Sequence, residues 1–225
     1  MLNFCKTLET FIVFKVSFVH LPSIMRIKII KRATELFLTL GFKSVTMDDI
    51  ANQMGISKKT IYVHFENKTK LVEEVTFNLF NIICEDIDHV YENSKNPIEE
   101  LYDIKMLVMT HLKNEKTSPQ YQLKKYYPAI FDQLKYKQFE VMHESVKESL
   151  AKGMETKLFR ADIDVDFISR MYFNGMMGIK DRSIFPDNLF TVEYLMESYL
   201  EYHLRAIMTE NGFKILNNFI NNNKS

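Results

Sequence analysis

Apolar positions along this chain repeat mostly at three- and four-residue steps, the spacing of helices rather than of strands. Ile27, Ile30, Ala33, Phe37 and Leu40 put one stripe on a helix over about 27–40, which Gly41 is placed to end. A longer helix follows Asn67, with Leu71, Val75, Leu79, Ile82 and Ile83 on its inner face. Proline is tolerated in a first helical turn and not further in, so Pro97, Pro119, Pro128 and Pro186 mark boundaries. They suggest helices near 97–113, 119–127, 129–152, 164–180 and 190–208, with Gly153 ending the longest. The polar stretch 217–225 reads as a frayed tail. The pattern predicts an all-α fold.

Between the first two of these helices, Thr46 to Lys70 breaks the rhythm into two short pieces. Thr46 is a good N-cap, and Asp48 and Asp49 follow it where negative charge favours the positive end of a helix dipole. Ile50, Ala51 and Met54 share one face, Gly55 supplies a permissive turn, Ile56 fits beneath it, and Ser57 caps a second helix. That helix, 58–65, holds Thr60, Ile61, Tyr62, Val63 and Phe65, which propensity alone would make a strand. The helical reading prevails because Ile61 and Phe65, four apart, can both point inward. Lys58, Lys59, Thr60, Tyr62 and His64 are then left on the outer side. Two helices around a Gly-containing turn, the second one basic and aromatic, are the layout of a helix-turn-helix that reads the major groove of DNA.

Residues 27–71 resemble the N-terminal DNA-binding domain of the TetR family of transcriptional regulators. The resemblance rests on the apolar helix ending in Leu40-Gly41-Phe42, the segment Thr46 to Ala51, Gly55-Ile56-Ser57, Thr60 to Phe65, and Asn67-Lys68 followed by Leu71. It covers about a fifth of the chain. It implies that Thr46, Lys58, Lys59, Thr60, Tyr62, His64 and Lys68 approach DNA. Lys68 would hold a phosphate, Tyr62 would offer its hydroxyl to another, Thr46 would combine capping with a backbone contact, and Lys58, Lys59 and Thr60 would face base edges. The resemblance also implies a homodimer through the helices near 164–180 and 190–208, hence a palindromic operator, and a small-molecule effector.

Charge sharpens the reading. The 225 residues carry zero net charge, but 25–70 hold net +5 and 71–225 net −6, so positive charge gathers where the DNA motif lies. The organisation expected is an extension or mis-assigned start at 1–24 ahead of Met25, a DNA-binding domain over 25–67, a ligand-binding and dimerisation domain over 68–216, and the tail. The apolar run 11–21 is interrupted by Lys15 and too short to span a bilayer, so no membrane partner is expected. Cys5 and Cys84 match no metal or redox spacing and read as reduced thiols in a cytoplasmic protein. Glu85, Asp86, Asp88 and His89 lie too close in sequence to converge on one metal from a helix, so no metal and no cofactor are expected. No phosphate loop, nucleophile elbow or HExxH occurs, which argues against an enzyme.

In 164–180, Ile168, Met171, Tyr172, Gly175, Met176 and Ile179 form a stripe with a small residue in its middle; in 190–208, Val192, Leu195, Met196, Tyr199 and Ile207 form another. Such stripes serve a core or a partner helix equally well. The middle of the chain is rich in adaptable apolar side chains, Met106, Met109, Tyr121, Tyr126, Tyr127, Phe131, Phe139, Met142 and Phe173, which suit either a core or a pocket for a largely apolar ligand. The expectation is a repressor released from its operator by that ligand. A helical ligand-binding or interaction protein without DNA binding is the rival reading. Activation, or DNA binding in chromosome organisation, is a further alternative.

Overall fold

A computed structural model describes residues 24–112 and 119–223. The expected extension with Cys5 lies outside the described residues. Ten helices are found among the described residues: α1 (Ile24–Leu40), α2 (Met47–Met54), α3 (Lys58–His64), α4 (Lys68–Asn93), α5 (Pro97–Leu112), α6 (Pro119–Tyr126), α7 (Pro128–Glu155), α8 (Val165–Gly178), α9 (Val192–Ile207) and α10 (Glu210–Asn223). Among the same residues there is no strand, only an isolated antiparallel bridge between Phe159 and Met208. The fold is all-α. Pro97, Pro119 and Pro128 each open a helix, where the missing N–H costs nothing.

The helices divide into two compact units. One comprises the described residues up to Asp86 with Thr110–Tyr136, the other Ile87–Met109 with the described residues from Lys137 on. In the first, α1, α2 and α3 touch pairwise around Ile29, Ala33, Phe37, Ile50 and Ile61, all fully buried. Each of the Ile and Phe side chains stabilises the unit by roughly 1.5–3 kcal/mol relative to exposure. The stripe expected on α1 is partly wrong. Ile27 and Leu40 are 52% and 57% exposed, while Ile29, Leu36 and Leu38 are buried. Ile27 lies about 120° around the helix from Ala33, and Leu40 is the last helical residue. On α4 the buried face is Leu71, Val72, Val75, Thr76, Phe80 and Cys84, and Ile82 is exposed. That face moves around the helix because the neighbours of its first turns are not those of its middle, where His111 of α5 bonds Asp86 at 2.7 Å.

The core of the second unit joins Ile98 and Leu101 of α5, Val146 and Leu150 of α7, Tyr172 and Met176 of α8, and Leu200, Leu204 and Ile207 of α9. The small residue in the α8 stripe serves an intramolecular contact. A Cβ on Gly175 would land inside the Tyr199 ring, and the Tyr199 hydroxyl donates to the carbonyls of Met171 and Tyr172 at 3.0 and 3.2 Å. Gly153 does not end α7, which runs on to Glu155. It leaves room for the Phe159 ring, and Lys157, at φ 58°, takes the left-handed turn instead. The tail is likewise not frayed from 217. α10 continues to Asn223, anchored by Leu216, fully buried, and by Phe219 against the Tyr102 ring at 4.9 Å. Its apolar residues Phe213, Leu216, Phe219 and Ile220 keep helical spacing beneath the polar composition.

Candidate nucleic-acid interface

The reading head is built from local bonds. Asp49 N–H donates to Thr46 Oγ1 at 3.2 Å, and the Thr46 N–H donates to the Asp49 carboxylate at 2.8 Å, a reciprocal capping box that fixes the start of α2. These bonds hold the Asp49 carboxyl below its ordinary range, the Thr46 backbone N–H contributing most and the Thr46 side chain next. Gly55 ends α2 at φ 63°, a conformation that costs other residues more. Ser57 then caps α3 by accepting the Thr60 N–H at 3.1 Å. Inside, Ile61 and Phe65 are buried, and the Arg26 guanidinium, ion-paired with Glu74, covers the Phe65 ring at 4.9 Å.

Lys58, Lys59 and Tyr62 stand exposed on α3, and Thr46 is exposed at the head of α2. Thr60 and His64 are half-buried, with the Thr60 hydroxyl 2.8 Å from that of Ser57. Lys58 donates to the Asp48 carboxylate at 2.7 Å, an exposed pair that it must leave to reach a base edge. Lys68 is half-buried and donates to the Lys43 carbonyl at 3.3 Å, and burial pushes its ammonium pKa down. Val63 was missed by the sequence reading. It is 74% exposed on α3 and offers a methyl surface suited to thymine. The signal was available, since Val63 lies about 200° around the helix from buried Ile61.

In the second unit, Leu101, Val146, Ser149, Leu150, Phe159, Tyr172, His203 and Ile207 line a narrow crevice whose side chains close in until no space of a water molecule's size remains. None of the nine Met, Phe and Tyr residues expected around a pocket is among them. Tyr121 and Tyr126 are instead exposed on α6 in the first unit, and Phe139 packs on Phe173 at 5.2 Å. The Ser149 hydroxyl is buried without a hydrogen-bond partner, and the His203 ring lies 4.7 Å from that of Tyr172. Burial pushes His203 down to about 4. Among the described residues no group of three or more His, Cys, Asp or Glu side chains is placed to hold a metal, and no helix is long and apolar enough to cross a membrane.

Comparison with known proteins agrees with this geometry. The sequence model of the bacterial regulatory proteins of the tetR family matches residues 29–75. The HTH-type transcriptional repressor KstR2 of Mycolicibacterium smegmatis is 24% identical over 200 residues, 86% of this chain and 95% of that protein. The biofilm operon icaADBC negative transcriptional regulator IcaR of Staphylococcus epidermidis is 37% identical over 57 residues, 25% of this chain and 31% of that one. The fold is shared with a solved transcriptional regulator from Saccharomonospora viridis in complex with choline, at a TM-score of 0.69, 17% identity and coverage of 83% of this chain and 98% of that one. α2, its Gly55 turn and α3 all lie inside the matched segment, so residues 29–75 carry the sequence pattern of the tetR family of bacterial regulatory proteins.

Proposed function

We propose that this protein is a sequence-specific DNA-binding repressor, released from a palindromic operator by a small, largely apolar ligand. The observation that carries it is the exposed face of α3, Lys58, Lys59, Tyr62 and Val63, held by a capped, glycine-turned helix pair over a buried apolar core. Cations and a phenol suit phosphates and guanine edges, and Val63 suits a thymine methyl. Repression is what the named relatives KstR2 and IcaR do. The working form is a homodimer through α8 and α9. Their inward stripes are used within the chain, but Phe167 and Met171 on α8, and Tyr194 and Tyr202 on α9, remain exposed and supply apolar surface for a second copy. Two copies of α3 then read half-sites about one helical turn, or a multiple of it, apart. The effector enters the crevice around Ser149 and His203 by displacing the side chains that now close it. A protein with this partner works in the cytoplasm, where the DNA is.

A mobility-shift assay on the DNA upstream of its own gene tests the reading: a saturable, sequence-preferring complex supports it, and its absence leaves only a helical ligand-binding protein. Lys68→Ala weakens binding to all sequences and lowers the salt slope by about one, whereas Lys58→Ala relaxes base preference. Release by the effector requires about 1.4 kcal/mol of coupling for each tenfold loss of DNA affinity, and operator DNA weakens the effector by the same factor. Titrating any compound that raises the melting temperature into the operator complex measures that coupling.

A further inference from the structure

In the first unit, α6 lies against the loop that joins α1 to α2, about eighty residues away in sequence. The Gln122 side chain fills the space where a Cβ on Gly41 would stand, and its Oε1 accepts the Lys43 N–H at 3.3 Å. The rings of Phe42 and Tyr127 meet edge-on at 6.3 Å. This docking gathers cations. The Lys43 ammonium sits 5.1 Å over the Tyr126 ring, and that of Lys125 lies 5.5 Å from the same ring and 5.5 Å from Tyr121. Lys124 adds a third on the last turn of α6. All three lysines are exposed, and among the described residues none has a carboxylate within ion-pairing distance, unlike Lys58 with Asp48 or Lys70 with Glu73. Aromatic faces position the Lys43 and Lys125 ammonium groups without neutralising them.

We propose that Lys43, Lys124 and Lys125 form an accessory phosphate-binding patch that carries the DNA backbone flanking each half-site. The inference rests on the DNA-binding reading and extends its footprint. Continuity points to DNA as the occupant. Lys43 stands three residues before Thr46, and its carbonyl accepts from Lys68, the two residues assigned to backbone contacts above. A strip from α2 through the start of α4 thus runs on to α6. The three ammonium groups stand on exposed side chains, which suits phosphates, whose contact is electrostatic and insensitive to sequence.

The test is a salt titration of DNA affinity, by fluorescence anisotropy, for the full chain and for a variant combining Lys43→Ala, Lys124→Ala and Lys125→Ala. It uses two duplexes, one holding the region upstream of its own gene and one of scrambled sequence. The slope of log affinity against log salt should fall by about one per lysine on both duplexes, with the ratio of their affinities unchanged. Arginine at the three positions should restore the slope, which separates lost charge from a damaged fold. Trimming the duplex to its half-sites should bring the wild-type slope down to that of the triple alanine variant. If the wild type binds and the alanine variant keeps its slope, the patch serves something other than DNA and the inference falls. If the wild type binds neither duplex, the DNA-binding reading itself fails and takes the patch with it.

Discussion

The α2–α3 head and the α8–α9 pair are both helix pairs, yet they are held together by opposite kinds of contact. In the head the decisive bonds span three or four residues: Thr46 to Asp49, Gly55 to Ala51 and Asn52, Ser57 to Thr60. In the second pair they span 27 or more: the Tyr199 hydroxyl reaches the Met171 and Tyr172 carbonyls, and the His203 ring meets Tyr172. Short-range bonds fix the direction of each helix whatever surrounds it. Long-range bonds depend on which face happens to meet which, and a change at one position is felt far along the chain.

The largest effect expected is in the head, where one aromatic fills the space beneath α3. Phe65 is buried against Arg26 and beside Ile61, and Phe65→Ala should cost about 3–5 kcal/mol. Urea unfolding followed by circular dichroism measures it. A cost below about 1 kcal/mol would mean the head collapses around the gap, and the contrast with the second unit would lose its rigid side.

Next comes the acid sensitivity of the second unit. Burial holds the His203 imidazole at about 4 against an ordinary 6.5, so between those pH values the unfolded chain binds a proton that the folded chain refuses. The stability it protects is complete above about pH 6.5, declines as pH falls toward 4, and has no further loss from this group below that. By linkage the decline amounts to about 3 kcal/mol. Denaturation series at about pH 7 and 4.5 should show a smaller difference for His203→Phe than for the wild type. An equal difference in both would show that the imidazole charges inside the folded core.

Gly175→Ala should cost less, about 1–3 kcal/mol, because the new methyl must push the Tyr199 ring aside and break its hydroxyl's bonds to α8. Pairing it with Tyr199→Ala gives a double-mutant cycle. A strong coupling confirms that the glycine is there for the ring, and additive losses would show that it is not.

The same contrast governs what could be read from the sequence. Caps and turns are written in neighbouring residues, so the start of α2 at Thr46, the turn at Gly55, the cap at Ser57 and the prolines that open α5, α6 and α7 were legible. The inward direction of Ile61 and Phe65 followed from their spacing within so short a helix. Faces of long helices were not legible in this way. On α4 the buried side turns with the neighbours, so Ile82 looked like core and Cys84 did not. Gly153 looked like a stop because glycine usually ends helices, and only Phe159, six residues on, shows that it makes room for a ring. Of the candidate interface, α3 could be seen and α6 could not. Nothing near Lys125 in sequence says that it shares Tyr126 with Lys43, 82 positions earlier.

The smallest effect belongs to the bond that is most local. Thr46→Ala removes the oxygen that accepts the Asp49 N–H and the hydroxyl that donates to the Asp49 carboxylate at 2.7 Å, leaving the backbone N–H of residue 46 as the only remaining part of the box. The cost should be about 1 kcal/mol. Because the Asp49 carboxyl is held below its ordinary range, the box is at full strength above the unfolded carboxylate's pKa and weakens as pH falls through the lower folded one; Asp49→Asn should abolish that acid dependence. Amide hydrogen exchange locates the damage. In Thr46→Ala it should quicken at the first turn of α2 and leave α8 and α9 untouched, whereas in Gly175→Ala it should quicken along both α8 and α9. Thr46→Ser, which keeps the oxygen, should restore protection in α2. If Thr46→Ala loosened the whole head as much as Phe65→Ala does, the head would be as dependent on distant contacts as the α8–α9 pair, and the division between locally and globally determined helices would not hold for this chain.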